Sequence, residues 1–121
     1  RLDRDGWASS IPRDGIAVQV LLIRRESGVA NGRNLCLVTP HLAAYPPVRK
    51  LPLRLPRTTR YTLEGAPRIP EYRILGRLRE SYDFEVRVDV NRRHPGARLL
   101  RLAQAVVAAI SFPRWPNRAH C

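Results

Sequence analysis

Residues 82–90, YDFEVRVDV, alternate without a break: Tyr82, Phe84, Val86, Val88 and Val90 are apolar, while Asp83, Glu85, Arg87 and Asp89 are charged. A period of two means a β-strand with one face on a core and the other in a polar setting, because successive side chains leave opposite sides of the backbone. The stretch before it repeats the pattern, with Tyr72, Ile74, Gly76 and Leu78 in one series and Arg73, Arg77 and Arg79 in the other. Folding the two about Ser81 sets Arg79 opposite Asp83, Arg77 opposite Glu85 and Arg73 opposite Asp89, with Leu78 against Phe84 and Ile74 against Val88. A slip of one residue would set each apolar side chain against a charge, so this register is strongly specified. A single long strand bent at Glu80-Ser81 satisfies the same pattern.

The segment HPGARLLRLAQAVVAAISFP changes the period and predicts one helix, with Pro95 in its first turn and Pro113 closing its far end. Leu99, Leu102, Ala103, Val106, Val107 and Ile110 fall on one broad face, and Arg98, Arg101, Ala105 and Ala108 on the opposite stripe. Upstream, IAVQVLLIRR from Ile16 reads as a strand covered on both faces. It forms a hairpin with NLCLVT at 34–39 across a turn region from Ser27 to Arg33, and RYTL at 60–63 is a further short strand. Residues 1–15 read as an irregular lead-in, anchored by Trp7 and punctuated by Asp5-Gly6 and Asp14-Gly15. Pro40, Pro46, Pro47, Pro52 and Pro56 exclude helix and central strand over 40–59 and leave an extended basic arm, in which Leu51, Leu53 and Leu55 can lie against something apolar. Residues 112–121 form a basic tail. The expected fold is a single α+β domain spanning 1–121: a mostly antiparallel sheet of four to five strands, one C-terminal helix packed on it, and a proline-rich arm.

Composition narrows the partners. The net charge is +12, and Lys50 is the only lysine among the cations. Arginine for lysine is what a GC-rich genome produces, but the excess of cations over acids needs another cause, namely a polyanion or an acidic protein neighbour. The cations form two blocks without an acid. One runs from Ser27 to Leu63 with Arg33, Arg49, Lys50, Arg54, Arg57 and Arg60, and the other follows Asp89 with Arg92, Arg93, Arg98, Arg101, Arg114 and Arg118. Between them the strands neutralise themselves. The plain alternative is a solvated arginine surface. No apolar run approaches the roughly 20 residues of a membrane-spanning helix. Cys36 reads as a small core residue and Cys121 as a terminal one, so no disulfide framework is expected and a reducing compartment is preferred. Arg1 heads a chain without methionine, which reads as trimming, a processed precursor or a partial chain.

Nothing in the sequence nominates a catalyst or a cofactor. His41, His94 and His120 are scattered and lack metal-site spacing. Asp83 and Glu85 share a strand face roughly 7 Å apart, with Arg87 following where restriction-type nucleases place a lysine. A metal-dependent nuclease is therefore the enzymatic alternative, against which Arg73, Arg77 and Arg79 offer simple exposed ion pairs. No nucleophile elbow, glycine-rich phosphate loop or P-x-x-P ligand is present.

The ending YDFEVRVDVNRRHPGARLLRLAQAVVAAI, residues 82–110, resembles the C-terminal half of tail-completion or tail-terminator (neck) proteins of tailed bacteriophages. There too an alternating strand leads through a polar turn into an alanine-rich AR-x-L-x-x-A helix. This chain departs from them in lacking an evident N-terminal helix and in its basicity. The resemblance implies a non-catalytic virion-assembly subunit, a homo-oligomer or part of a larger assembly, with the arm clasping a neighbour and the arginines facing acidic subunits or passing DNA. The alternative is a component of a ribonucleoprotein, organellar or viral, that binds RNA or DNA backbone, with Tyr45, Tyr61 and Trp115 available to stack on bases. Location follows the reading: virion or cytoplasm for the first, an organellar particle for the second. In either case the expected contacts are Arg49, Lys50, Arg54, Arg57, Arg60, Arg92, Arg93, Arg114, Trp115 and Arg118, with no metal, cofactor or membrane.

Overall fold

The computed structural model describes residues 4–24, 26–30, 33–37, 52–79 and 82–112. Along the chain run α1 (Arg4–Ser10), β1 (Ile16–Arg24), β2 (Glu26–Ala30), β3 (Arg33–Leu37), β4 (Tyr61–Leu63), β5 (Ala66–Arg79), β6 (Tyr82–Val90) and α2 (Ala97–Ala108). The fold is α+β, with a four-stranded antiparallel sheet in the order β1-β6-β5-β4 and a C-terminal helix. β2 and β3 form a separate two-stranded sheet, Glu26 opposite Leu37 and Ala30 opposite Arg33. Among the described residues no helix is long and apolar enough to cross a membrane.

The chain divides into two compact units. One comprises Arg1–Gln19, Pro52–Ile74 and Val86–Ile110, and the other Val20–Leu51, Leu75–Glu85 and Ser111–Cys121. In the first, Ile11, Leu63, Ala66 and Ile69 are buried together, and Trp7, Ala8 and Ala17 pack against them. In the second, Phe84 is fully buried and its ring lies 4.8 Å from that of Phe112.

Four sequence expectations need correction. Residues 4–10 are helical, not irregular. Gly6 and a length of seven residues hide this helix from any periodicity, and two turns are unstable alone. The helix is held instead by Trp7, with Ser10 Oγ donating to the Trp7 carbonyl at 2.7 Å and Pro12 following its end. The hairpin near residue 30 joins β2 to β3, not β1 to 34–39. With Ala30 opposite Arg33, only Asn31-Gly32 separates the strands, the dipeptide best suited to a two-residue hairpin loop. β1 is a sheet edge next to β6, and its Val20 and Leu22 are exposed rather than covered on both faces. Finally, the acidic face of β6 is inside: Asp83, Glu85 and Asp89 are buried along with Phe84, Val86, Val88 and Val90. β6 is an inner strand, and α1 reaches its acidic face at Asp89 through Trp7.

The turn after α1 is fastened to the end of β6. Asn91 N–H donates to Gly15 O at 2.9 Å, Asp14 N–H to Asn91 O at 3.0 Å, and the Asn91 side-chain amide to Ile11 O at 2.7 Å. Asp14 takes a left-handed conformation with φ 60°, which aspartate tolerates better than most residues. A Cβ on Gly15 would lie 2.7 Å from the Pro12 carbonyl oxygen and ring, so this position accepts only glycine without a backbone shift.

Helix α2 starts at Ala97, two residues after Pro95, with Gly96 as its N-cap. Of its expected apolar face only Ala103 and Val107 are buried; Leu102 and Val106 are exposed. Residues 40–51 of the expected arm lie outside the described residues, and 52–59 contain neither helix nor strand. This described end is pinned rather than free. Leu53 is 3% exposed, Gln104 Oε1 accepts from Leu55 N–H at 2.7 Å, and Gln104 Nε2 donates to Leu53 O at 3.2 Å. Gln104→Ala removes both bonds and is expected to destabilise the fold by about 1–2 kcal/mol. Urea unfolding checks the magnitude, and faster tryptic cleavage after Arg54 checks that this segment is the part released.

Candidate anion-binding cleft

The connection from β6 to α2 is the short polar run Asn91-Arg92-Arg93-His94-Pro95-Gly96. Because Asn91 is tied to the α1–β1 turn, this run cannot drift from the residues around Asp14. Arg92 Nη1 meets Asp14 Oδ1 at 2.9 Å, with both side chains half exposed. A pair this exposed contributes only a few tenths of a kcal/mol, so a stronger anion can replace the aspartate.

Two cavities share Asp14 and Arg92 in their walls. One, of about 570 Å³, adds Arg13, Arg68, Asn91, Arg93 and His94. The other, of about 790 Å³, adds Gly96, Arg98, Leu99, Arg101 and Leu102. Arg13 comes from the α1–β1 turn, Arg68 from β5, Arg92 and Arg93 from the connection, and Arg98 and Arg101 from one turn of α2. All six arginines are exposed, and among the described residues Asp14 is the one acid lining either cavity. Guanidinium groups keep their charge at any working pH and present forked donors suited to phosphate or carboxylate. The arrangement offers several such forks around two cavities that share a wall.

Of the contacts expected from sequence, Arg92 and Arg93 fall in this cleft. Arg54, Arg57 and Arg60 are exposed on 52–60 and line neither of its cavities. Arg49, Lys50, Arg114, Trp115, Arg118 and Tyr45 lie outside the described residues. Tyr61 is on the surface, but the Arg73 guanidinium covers one face of its ring at 4.0 Å. Arg13 and Arg68 carried no sequence signal as contacts, since only the fold brings them beside Arg92. Arg98 and Arg101 were visible as a basic helical stripe, but not as part of a cavity.

The second polar feature is closed. Glu71 and Asp89 are 3% and 1% exposed. Trp7 Nε1 donates to Asp89 Oδ2 at 3.0 Å, and Arg73 Nε donates to Glu71 Oε1 at 2.7 Å. Thr59 Oγ1 donates to the Glu71 carbonyl, which joins the segment before β4 to the same network. Burial, reinforced by a hydrogen bond with Glu71 and that group's charge, pushes the Asp89 carboxyl up to about 7, against the opposing pull of Trp7 and Arg87. Asp89 Oδ1 is buried and receives no bond from a fixed donor. Asp83 and Glu85, in the other unit, are 0% and 4% exposed and each is engaged in a polar interaction. Among the described residues no three His, Cys, Asp or Glu side chains are grouped to hold a metal.

Comparison of the chain with protein-family models, with curated proteins and with solved structures finds no match.

Proposed function

We propose that this protein acts by binding rather than by catalysis, holding the phosphate backbone of a nucleic acid as one component of a larger assembly. The observation that carries this reading is the convergence of six exposed arginines from separate segments on two adjoining cavities with one weakly held acid. A solvated arginine surface would be spread over the molecule, not gathered into a concavity. The burial of Asp83, Glu85, Glu71 and Asp89 favours binding over hydrolysis, since a scissile phosphate has to reach the carboxylates that would hold its metal. The basic residues of the arm and tail, Arg49, Lys50, Arg114 and Arg118, would extend the same contact along a strand.

Light scattering at 50 and 500 mM salt, with and without a 20-nucleotide strand, tests the proposal. A complex that forms at low salt and dissociates at high salt supports it; no complex at either salt refutes it.

A virion tail or neck subunit is the second reading, and one observation favours it. Leu102 and Val106 are exposed one turn apart on α2, a surface that another subunit would cover. On that reading the same experiment yields rings without nucleic acid that persist at 500 mM salt, because apolar contact survives screening.

A further inference from the structure

The larger cavity is not uniformly polar. Beside Arg98 and Arg101 it is walled by Leu99 and by Leu102, which is 54% exposed. A large apolar side chain left open among arginines fits poorly with a site for bare phosphate, and at about 790 Å³ the cavity belongs to the size class that encloses organic ligands of several hundred daltons. It shares the Arg92–Asp14 pair with the second, more polar cavity of about 570 Å³. The fitting ligand is therefore a chain in which phosphates recur beside flat apolar groups.

Resting on the backbone-binding reading, we infer that the cleft takes single-stranded nucleic acid, with a base lying on Leu99 and Leu102 while the flanking phosphates meet Arg92, Arg98 and Arg101. A duplex keeps its bases stacked inside and is too wide to enter the concavity, so it leaves the leucines unmatched. Unstacked strands present both parts, and single-strand sites combine a basic groove with surfaces that receive base planes. An anionic bilayer shares the charge, but its flat surface cannot follow the walls from one cavity into the next. A lipid chain would also meet Asn91, Arg93 and His94 there instead of an apolar slot.

Fluorescence anisotropy with a labelled 12-nucleotide oligothymidine, the same length as a duplex, and vesicles containing phosphatidylserine decides between them. The expected result is single-strand affinity at least about tenfold above duplex affinity and above vesicle binding. Leu102→Ser should lower single-strand affinity about tenfold and leave duplex affinity unchanged; because Leu102 is exposed, the variant should keep the parent's unfolding midpoint. Equal affinity for the two oligonucleotides, or a Leu102→Ser variant that binds the strand as well as the parent, overturns the single-strand inference while sparing the backbone-binding reading. Binding to neither oligonucleotide overturns both, and tighter binding to vesicles replaces the partner with a membrane surface.

Discussion

Asp89→Asn is expected to make the protein more stable at pH 8 than the parent. The Asp89 carboxyl sits near 7 in the folded protein against an ordinary value of 3.8. Between those values the folded chain holds a proton that the unfolded chain has released, so parental stability falls as pH rises through this window and levels off above about 7. At 1.36 kcal/mol per unit, a rise from 3.8 to about 7 corresponds to a loss on the order of 4 kcal/mol. Asparagine mimics the protonated acid: its Oδ1 accepts from Trp7 Nε1 while its amide donates to Glu71, with no charge to bury. Urea midpoints of the variant should therefore vary little from pH 4.5 to 8.5 around this site, while those of the parent decline. Asp89→Ala, by contrast, leaves the Trp7 donor without a partner and should cost about 1–3 kcal/mol at acid pH. An asparagine variant less stable than the parent at pH 8 would show that the carboxylate is held ionised by its surroundings.

The second large effect concerns binding. Arg92, Arg98 and Arg101 are exposed, and their joint replacement by glutamine should leave the unfolding midpoint within experimental error. Affinity for a single-stranded oligonucleotide at 100 mM salt should fall about 100-fold, and the salt slope should shrink by about two, as expected for three lost phosphate contacts on a single strand. Replacing Arg54, Arg57 and Arg60 in the same way serves as the comparison. These side chains add charge but line neither cavity, so their loss should cost no more than about tenfold. A larger loss from Arg54, Arg57 and Arg60 would move the binding site from the cleft to the segment before β4.

The parts legible in the sequence are those that local pattern controls. Alternation alone places Val86, Val88 and Val90 inside, and the helical period with its flanking prolines places α2 to within two residues of its start. Arg92 and Arg93 stand out because they follow the last acid of the chain. What pattern cannot tell is which polar face gets covered. Asp83 and Asp89 alternate in the same way whether a strand lies at the surface or inside, and at Asp89 it is α1, through Trp7, that covers the acidic face. Helix α1 itself is too short for a period to show. Leu102 and Val106 fit the wide apolar face by angle, but Ala103 and Val107 take up the buried positions. Arg13 and Arg68 join the cleft because Asn91 locks the β6 end to the turn at Gly15, a long-range contact that no window of sequence contains.

The most direct test of the arginine cleft is the affinity of the unaltered protein for a 12-nucleotide single strand, measured from 50 to 200 mM salt. Six guanidinium contacts imply a slope of log affinity against log salt of about −4, a loss of about 300-fold over that range. A slope near zero, or no measurable binding at 50 mM salt, would contradict the account.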